Sequence, residues 1–166
     1  MTTYHHGSVP AAVLAAATKI LEKEGLAGLS VRAAARRAKV SHNAPYRHFP
    51  DRDALLAALA EQGFRDLEAA LQDRAGRDLA EAYVRFALAH PQRFRLMFEG
   101  GRARADLQGR FAGAFADLGA SAGLAGAAAW SLVHGLSQLI LAGRLEKGEA
   151  FVKSVLGAVR FAQRSA

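Results

Sequence analysis

The chain of 166 residues carries 22 Lys and Arg against 15 Asp and Glu, a formal net charge of +7, and no cysteine. Disulfides, thiolate metal sites and thiol catalysis are therefore excluded, and the length suits one compact domain or a small head joined to a core. The basic surplus points to a polyanionic partner, without by itself separating DNA from RNA or from an anionic membrane.

The N-terminus lacks a basic segment followed by an apolar run, so no secretory signal is expected and the cytoplasm is the default compartment. Strand signals are nearly absent while helical periodicity recurs, which predicts an all-α fold. Ser8 is placed to cap a first helix with Pro10 near its first turn. Val13, Leu14, Ala17, Ile20 and Leu21 then form its apolar stripe, and Gly25 ends it. Leu26 and Leu29 lead to Ser30, a cap for the following VRAAARRA, a helix of about two turns that stops near Lys39 and Val40. Ser41 reads as a second cap opening HNAPYRHF, a helix over 41–49 that Pro50 stops. Pro45 still lies in the first turn of that helix, where the missing N–H costs least.

Two short helices joined by a turn of about three residues fit helix-turn-helix geometry. Charge is concentrated on them: Arg32, Arg36, Arg37, Lys39, Arg47 and Arg52 stand against Asp51 alone. Next, Asp51 caps a long helix in which Leu55, Leu59, Phe64, Leu67 and Leu71 face the core; its free N–H groups favour an anion. No flexible Gly/Ser linker is visible, so head and core are expected to share this helix. A helix from Arg77 to His90 follows, and Pro91 starts another, PQRFRLMFEG, closed by Gly100 and Gly101. Phe86, Phe94, Met97, Phe98, Phe111 and Phe115 gather in this half, at a helical spacing that suits plain core.

From Leu118 to Gly143 there is no charged residue, a length able to span a bilayer. Interruption by Ser121, Ser131, His134, Ser137, Gln138 and several glycines makes it protein interior, and no membrane role is expected. Trp130 and His134 share one face of this segment; a buried, satisfied imidazole and a ligand contact are both open for His134. A final helix carries Val152, Val155, Leu156 and Val159 as one stripe.

At Ser30-Val31-Arg32, Ala38-Lys39-Val40-Ser41, Tyr46-Arg47-His48-Phe49 and Asp51-Arg52, with Leu55 beyond, the chain resembles the DNA-binding head of the TetR family of transcriptional regulators. Tyr4-His5-His6-Gly7 and Trp130-Ser131-Leu132-Val133-His134-Gly135 resemble the subgroup with a Trp-His-Gly C-terminal domain. Lys39 departs from the pattern, since the family usually has Gly at that turn. The resemblance implies a head over 1–52, with a fourth helix from about 52 connecting it to an effector-binding and dimerisation domain over 53–166. Its partners would be a near-palindromic double-stranded DNA operator, a second copy of the chain and a small, largely apolar effector that releases repression, with no cofactor and no metal.

Carried over by position, His42, Asn43 and Ala44 become the base-edge candidates, Asn43 for adenine and Ala44 for a thymine methyl. Arg32, Ser41, Tyr46, Arg47, His48 and Arg52 become the phosphate candidates. Phe86, Phe94, Met97, Phe98, Phe111, Phe115, Trp130 and His134 would line the effector pocket. Leu136, Ile140, Val152, Val155, Leu156 and Val159 would form a four-helix dimer interface. An enzyme is not expected, because no nucleophile-base pair, phosphate-cradling Gly loop or HExxH is present. The rival is a helical carrier of lipid or another apolar ligand with a non-specific basic patch, which would account for the apolar half but not for Ser30 to Arg52.

Overall fold

The computed structural model describes residues 8–98 and 124–159. Among these the regular elements are all helical: α1 (Val9–Glu24), α2 (Val31–Ala38), α3 (Arg52–Leu71), α4 (Gly76–Ala89), α5 (Pro91–Phe98), α6 (Leu124–Leu141) and α7 (Glu149–Gly157). Tyr4–Gly7, Gly100–Gly101, Phe111, Phe115 and residues 118–123 lie outside the described residues. No described helix is long and apolar enough to cross a membrane.

The N-terminal helices start and stop where their residues dictate. α1 has Pro10 in its first turn and ends at Gly25, whose φ of 69° suits glycine; Ser8 stands at the cap position without a side-chain bond. Ser30 caps α2, its Oγ accepting from the Ala33 N–H at 3.1 Å. Lys39 ends α2 in the left-handed conformation, φ 57° and ψ 35°. The Lys39 N–H then donates to Arg36 and the Val40 N–H to Ala35, satisfying carbonyls of the last turn. The turn is thus built as a glycine would build it, with lysine bearing the steric cost. Lys39→Gly should therefore raise stability by about 0.5–1 kcal/mol while removing one exposed cation from the basic face. Denaturant melts and DNA titrations read the two effects separately, and a less stable variant would contradict the account.

Two apolar clusters organise the molecule. One gathers Val13, Ala17, Ile20 and Leu21 of α1 with Leu29, Val31, Ala34 and Phe49, closed by Leu55, Leu56, Leu59 and Ala60 of α3 and by Leu96 of α5. The other gathers Phe64, Leu67 and Leu71 of α3 with α4, α5, α6 and α7. The shared helix expected from the missing linker is α3. Asp51 caps it, Oδ1 accepting from the Ala54 N–H at 2.7 Å, and its stripe passes from the first cluster to the second between Ala60 and Phe64.

Three expectations about individual residues change. Residues 41–49 do not make a capped α-helix: a turn at 42–43 leads into a 3-10 helix, Ala44–Arg47. Ser41 contributes its carbonyl, accepting from the Ala44 N–H at 3.2 Å, rather than its hydroxyl. Pro45 is the reason, since it has no N–H to return to Ser41 and the tighter i to i+3 bond forms instead. Arg52 is committed to the protein, donating from Nε to Leu29 O at 3.0 Å and from Nη2 to Leu26 O at 2.7 Å. Leu136, Ile140, Val152 and Leu156 are buried in the protomer's own second cluster, so those four side chains are not a free dimer surface; Val155 and Val159 are half-buried.

Candidate nucleic-acid interface and aromatic site

Above the first cluster, burial separates the residues that hold the 3-10 turn from those it displays. Pro45 and Phe49 are buried beneath it, while Ser41, His42, Asn43, Arg47 and His48 are exposed and Tyr46 is 44% exposed. Ala44 is half-buried. In a 3-10 helix side chains three apart eclipse, so Asn43 and Tyr46 share a row, as do Ala44 and Arg47. Arg32, Arg36, Arg37 and Lys39 are exposed on the neighbouring α2 and its turn. The outcome is one protruding basic face with aromatic and amide groups at its centre, carried by a rigid apolar base. Such a face attracts phosphates through counterion release and brings a few side chains to a groove. Of the residues expected on it, only Arg52 is drawn to other work, although its charge remains at the start of α3.

Against the second cluster, α5 and α6 bring an aromatic group together. His134 lies 4.5 Å from Phe98 and 5.5 Å from both Phe94 and Trp130, ring centre to ring centre. Phe94 in turn packs edge-on to Tyr83 of α4 at 5.7 Å. Within these rings runs a polar relay: Trp130 Nε1–H donates to Tyr83 Oη at 3.3 Å, and that hydroxyl stands 2.9 Å from His134 Nδ1. Burial pushes the Tyr83 phenol well above its ordinary range and lowers the His134 imidazole, so both are neutral at physiological pH. Phe98, Trp130 and His134 are half-buried.

The group thus takes four of the expected pocket residues and adds Tyr83, which sequence reasoning missed because its partners are 47 and 51 residues away. Phe86 instead packs on His90, ring centres 5.0 Å apart, and under the Arg93 guanidinium at 5.6 Å. Met97 is fully buried against Gly63. Phe111 and Phe115 fall outside the described residues. A separate cavity of about 330 Å³ lies between α4 and α7, floored by Val84, Leu88 and Val152.

Between the face and the aromatic group stands α5. Its Arg93, only 7% exposed, donates from Nη1 to Asp66 of α3 and has Nε 3.9 Å from Glu22 of α1. The Glu22 carboxylate also accepts from the Gln92 and Arg93 backbone N–H groups at 3.4 and 3.3 Å, at the positive start of α5. One short helix therefore touches α1 by charge at one end and His134 by its rings along its side. Among the described residues no group of His, Asp and Glu is placed to hold a metal ion.

This all-helical fold, with a basic 3-10 turn displayed on an apolar base, defines a helix-turn-helix DNA-binding regulator. Two family models cover most of it: bacterial regulatory proteins of the tetR family over residues 13–59 and the tetracyclin repressor-like C-terminal domain over residues 77–159. The chain belongs to the TetR family, whose members are DNA-binding transcription factors rather than enzymes. It is 37% identical over 73 residues to the HTH-type transcriptional repressor Rv3405c of Mycobacterium tuberculosis (strain ATCC 25618 / H37Rv). That match covers 44% of this chain and 39% of the relative's length. It is also similar to a protein of unknown function from Rhodococcus sp. RHA1, with 38% identity, a TM-score of 0.71, and 95% of this chain and 96% of the other covered. The fold is shared with the TetR family transcriptional regulator PfmR from Thermus thermophilus, at 19% identity and a TM-score of 0.61, covering 93% and 96% of the two chains.

Proposed function

We propose that the protein is a homodimeric, effector-released repressor that binds a near-palindromic operator. The observation that carries this reading is the exposed row of His42, Asn43, Tyr46, Arg47 and His48 over buried Pro45 and Phe49. Asn43 pairs with adenine at a base edge, flanked by His42 and Ala44. Tyr46, His48, Ser41, Arg32 and Arg47 hold phosphates. One such turn contacts few base pairs, so specificity requires two heads on half-sites roughly 34–36 Å apart. Repression is supported by the name of the M. tuberculosis relative, itself a repressor.

The second head comes from a partner docked on the outer side of α6. Leu139 there is 47% exposed, in line with exposed Ala128, Ser131 and Ala142, and a Cβ at Gly135 would meet nothing within 4 Å. Half-buried Val155 and Val159 extend this surface, in place of the inward-facing Leu136, Ile140, Val152 and Leu156. The division into a head over 1–52 and a core over 53–166 follows function, while the packing boundary lies later, within α3. An effector lodged among Phe94, Phe98, Trp130 and His134 shifts α5, favouring a head spacing that no longer fits the operator and so weakening DNA binding by the same coupling.

Selection of bound duplexes from a random pool at about 0.15 M salt tests the reading. Enrichment of an inverted repeat is expected; no enrichment by folded protein would remove sequence-specific regulation and favour a non-specific basic face. With the operator in hand, Tyr46→Ala should weaken binding to all sequences alike, by about tenfold. Asn43→Ala should instead relax preference at one symmetric position by about 1–3 kcal/mol. An Asn43→Ala variant with an unchanged preferred sequence would remove the base-contact assignment.

A further inference from the structure

The cavity between α4 and α7 belongs to neither the displayed turn nor the aromatic group. Its volume of about 330 Å³ falls at the lower end of what small-molecule sites occupy. Val84 and Val152 of the floor are buried and Leu88 is half-buried, so the floor is the outer wall of the second apolar cluster. The rim is charged: Arg85, Lys147 and Lys153 stand against Glu81 and Glu149, a surplus of one positive charge. Lys153 Nζ holds Glu149 at 2.8 Å, and the charge of Glu81 acts on the same ammonium. Arg85 reaches Glu149 only as a charge across space, and Lys147 makes no ion pair among the described residues. Both carboxylates are thus engaged mainly with Lys153. The surplus falls on the exposed Arg85 and Lys147, the first on α4 and the second just before α7.

We propose that this cavity is a second ligand site, taking a small monocarboxylate whose compact apolar body rests on Val84, Leu88 and Val152 and whose head group lies between Arg85 and Lys147. The floor supplies affinity, because water displaced from it makes no hydrogen bond to those side chains. The rim chooses the head group. A monoanion cancels the surplus, and the Arg85 fork matches the two oxygens of a carboxylate. An alcohol gains no charge-assisted bond, and a cation adds to the surplus. A dianion brings a second negative charge toward Glu81 and Glu149. The site shares no residue with the aromatic group, so it stands or falls apart from the effector reading.

Cyclohexylacetate, cyclohexylethanol and cyclohexylethylammonium share one apolar body and differ in head group; calorimetric titration into the full chain at low salt tests the choice. The expected Kd of the acid is about tenfold below that of the alcohol, with the ammonium weakest. Raising the salt to about 0.5 M should narrow the gap. In methyl NMR spectra the signals of Val84, Leu88 and Val152 should move with the acid. Arg85→Gln combined with Lys147→Gln, both at exposed positions, should bring acid and alcohol to the same Kd. Leu88→Trp should weaken both by filling the cavity, with thermal melts showing that the variants fold. Equal binding of acid and alcohol to the wild-type protein, tighter binding of the ammonium, a preference that survives the double variant, or no binding to the folded chain would each overturn the proposal. So would a response in Trp130 fluorescence without shifts at the three methyl-bearing residues, which would seat the acid at the aromatic group instead.

Discussion

Replacing Arg93 by alanine is expected to lower the melting temperature by roughly 5–10 °C, from a loss of about 2–3 kcal/mol at 2–4 °C per kcal/mol for a chain of this size. The guanidinium is buried and joined to Asp66, with Glu22 close by and Phe86 beneath it. Its removal leaves the Asp66 carboxylate with the Gln62 amide alone, at 2.7 Å, and Glu22 with the two backbone N–H groups of α5. Breaking a buried pair in this way costs about 3–5 kcal/mol in enclosed sites. The lower value is appropriate here because the Asp66 and Glu22 side chains are 37% and 25% exposed and partly hydrated. Arg93→Lys should recover part of the loss, since one ammonium cannot reproduce the fork. Thermal melts of both variants decide the matter, and a shift below about 2 °C for Arg93→Ala would mean that water replaces the guanidinium without penalty.

The second large effect is expected at Gly63, where α3 and α5 cross. A Cβ on this residue would stand 2.7 Å from Met97 Sδ, 2.9 Å from Met97 Cγ and 3.2 Å from Arg93 Cγ. Met97 is flexible but fully buried, so its thioether has no solvent-side escape. Gly63→Val should cost about 2–3 kcal/mol through overpacking. Gly63→Ala should fall closer to wild type, because a gain of about 1 kcal/mol in helix propensity offsets part of the strain. Shortening the neighbour provides the control: in Gly63→Val combined with Met97→Ala the losses should add to less than their sum. Urea melts of the four proteins test this, and a Val variant as stable as wild type would show that the helices separate freely.

The caps are legible from local chemistry. Ser30 and Asp51 bond the N–H three residues on, and the stripe of Leu55, Leu59, Phe64, Leu67 and Leu71 is buried throughout. The turn after Ser41 reads as an α-helix in the sequence because a serine cap and a proline in the first turn are individually compatible with one. With Pro45 at the fourth position, however, the bond that would propagate such a helix from Ser41 is excluded. Charge alone makes Arg52 a phosphate ligand; its partners at Leu26 and Leu29 become visible only once α3 folds back on that loop. In the C-terminal half α6 is apolar or small on nearly every side, so periodicity does not decide which face turns inward. Leu136 and Ile140 take the core and Leu139 the surface. Tyr83 and Arg93 find partners across tens of residues, a distance over which no sequence periodicity operates.

The clasp of Glu22, Asp66 and Arg93 also bears on the exchange of modules between regulators of this fold. A head transplanted from another member brings its own residue at position 22, whereas the acceptor chain supplies Arg93, so a graft that ignores the pairing sets a buried guanidinium against an unmatched side chain. A seam placed after Gly63 keeps Asp66 with Arg93 but still parts Glu22 from Arg93 and Gly63 from Met97, which then come from different parents. Functional hybrids should therefore inherit α1, α3 and α5 as a set, and the specificity of the displayed turn is best altered by substituting residues 42–48 in place.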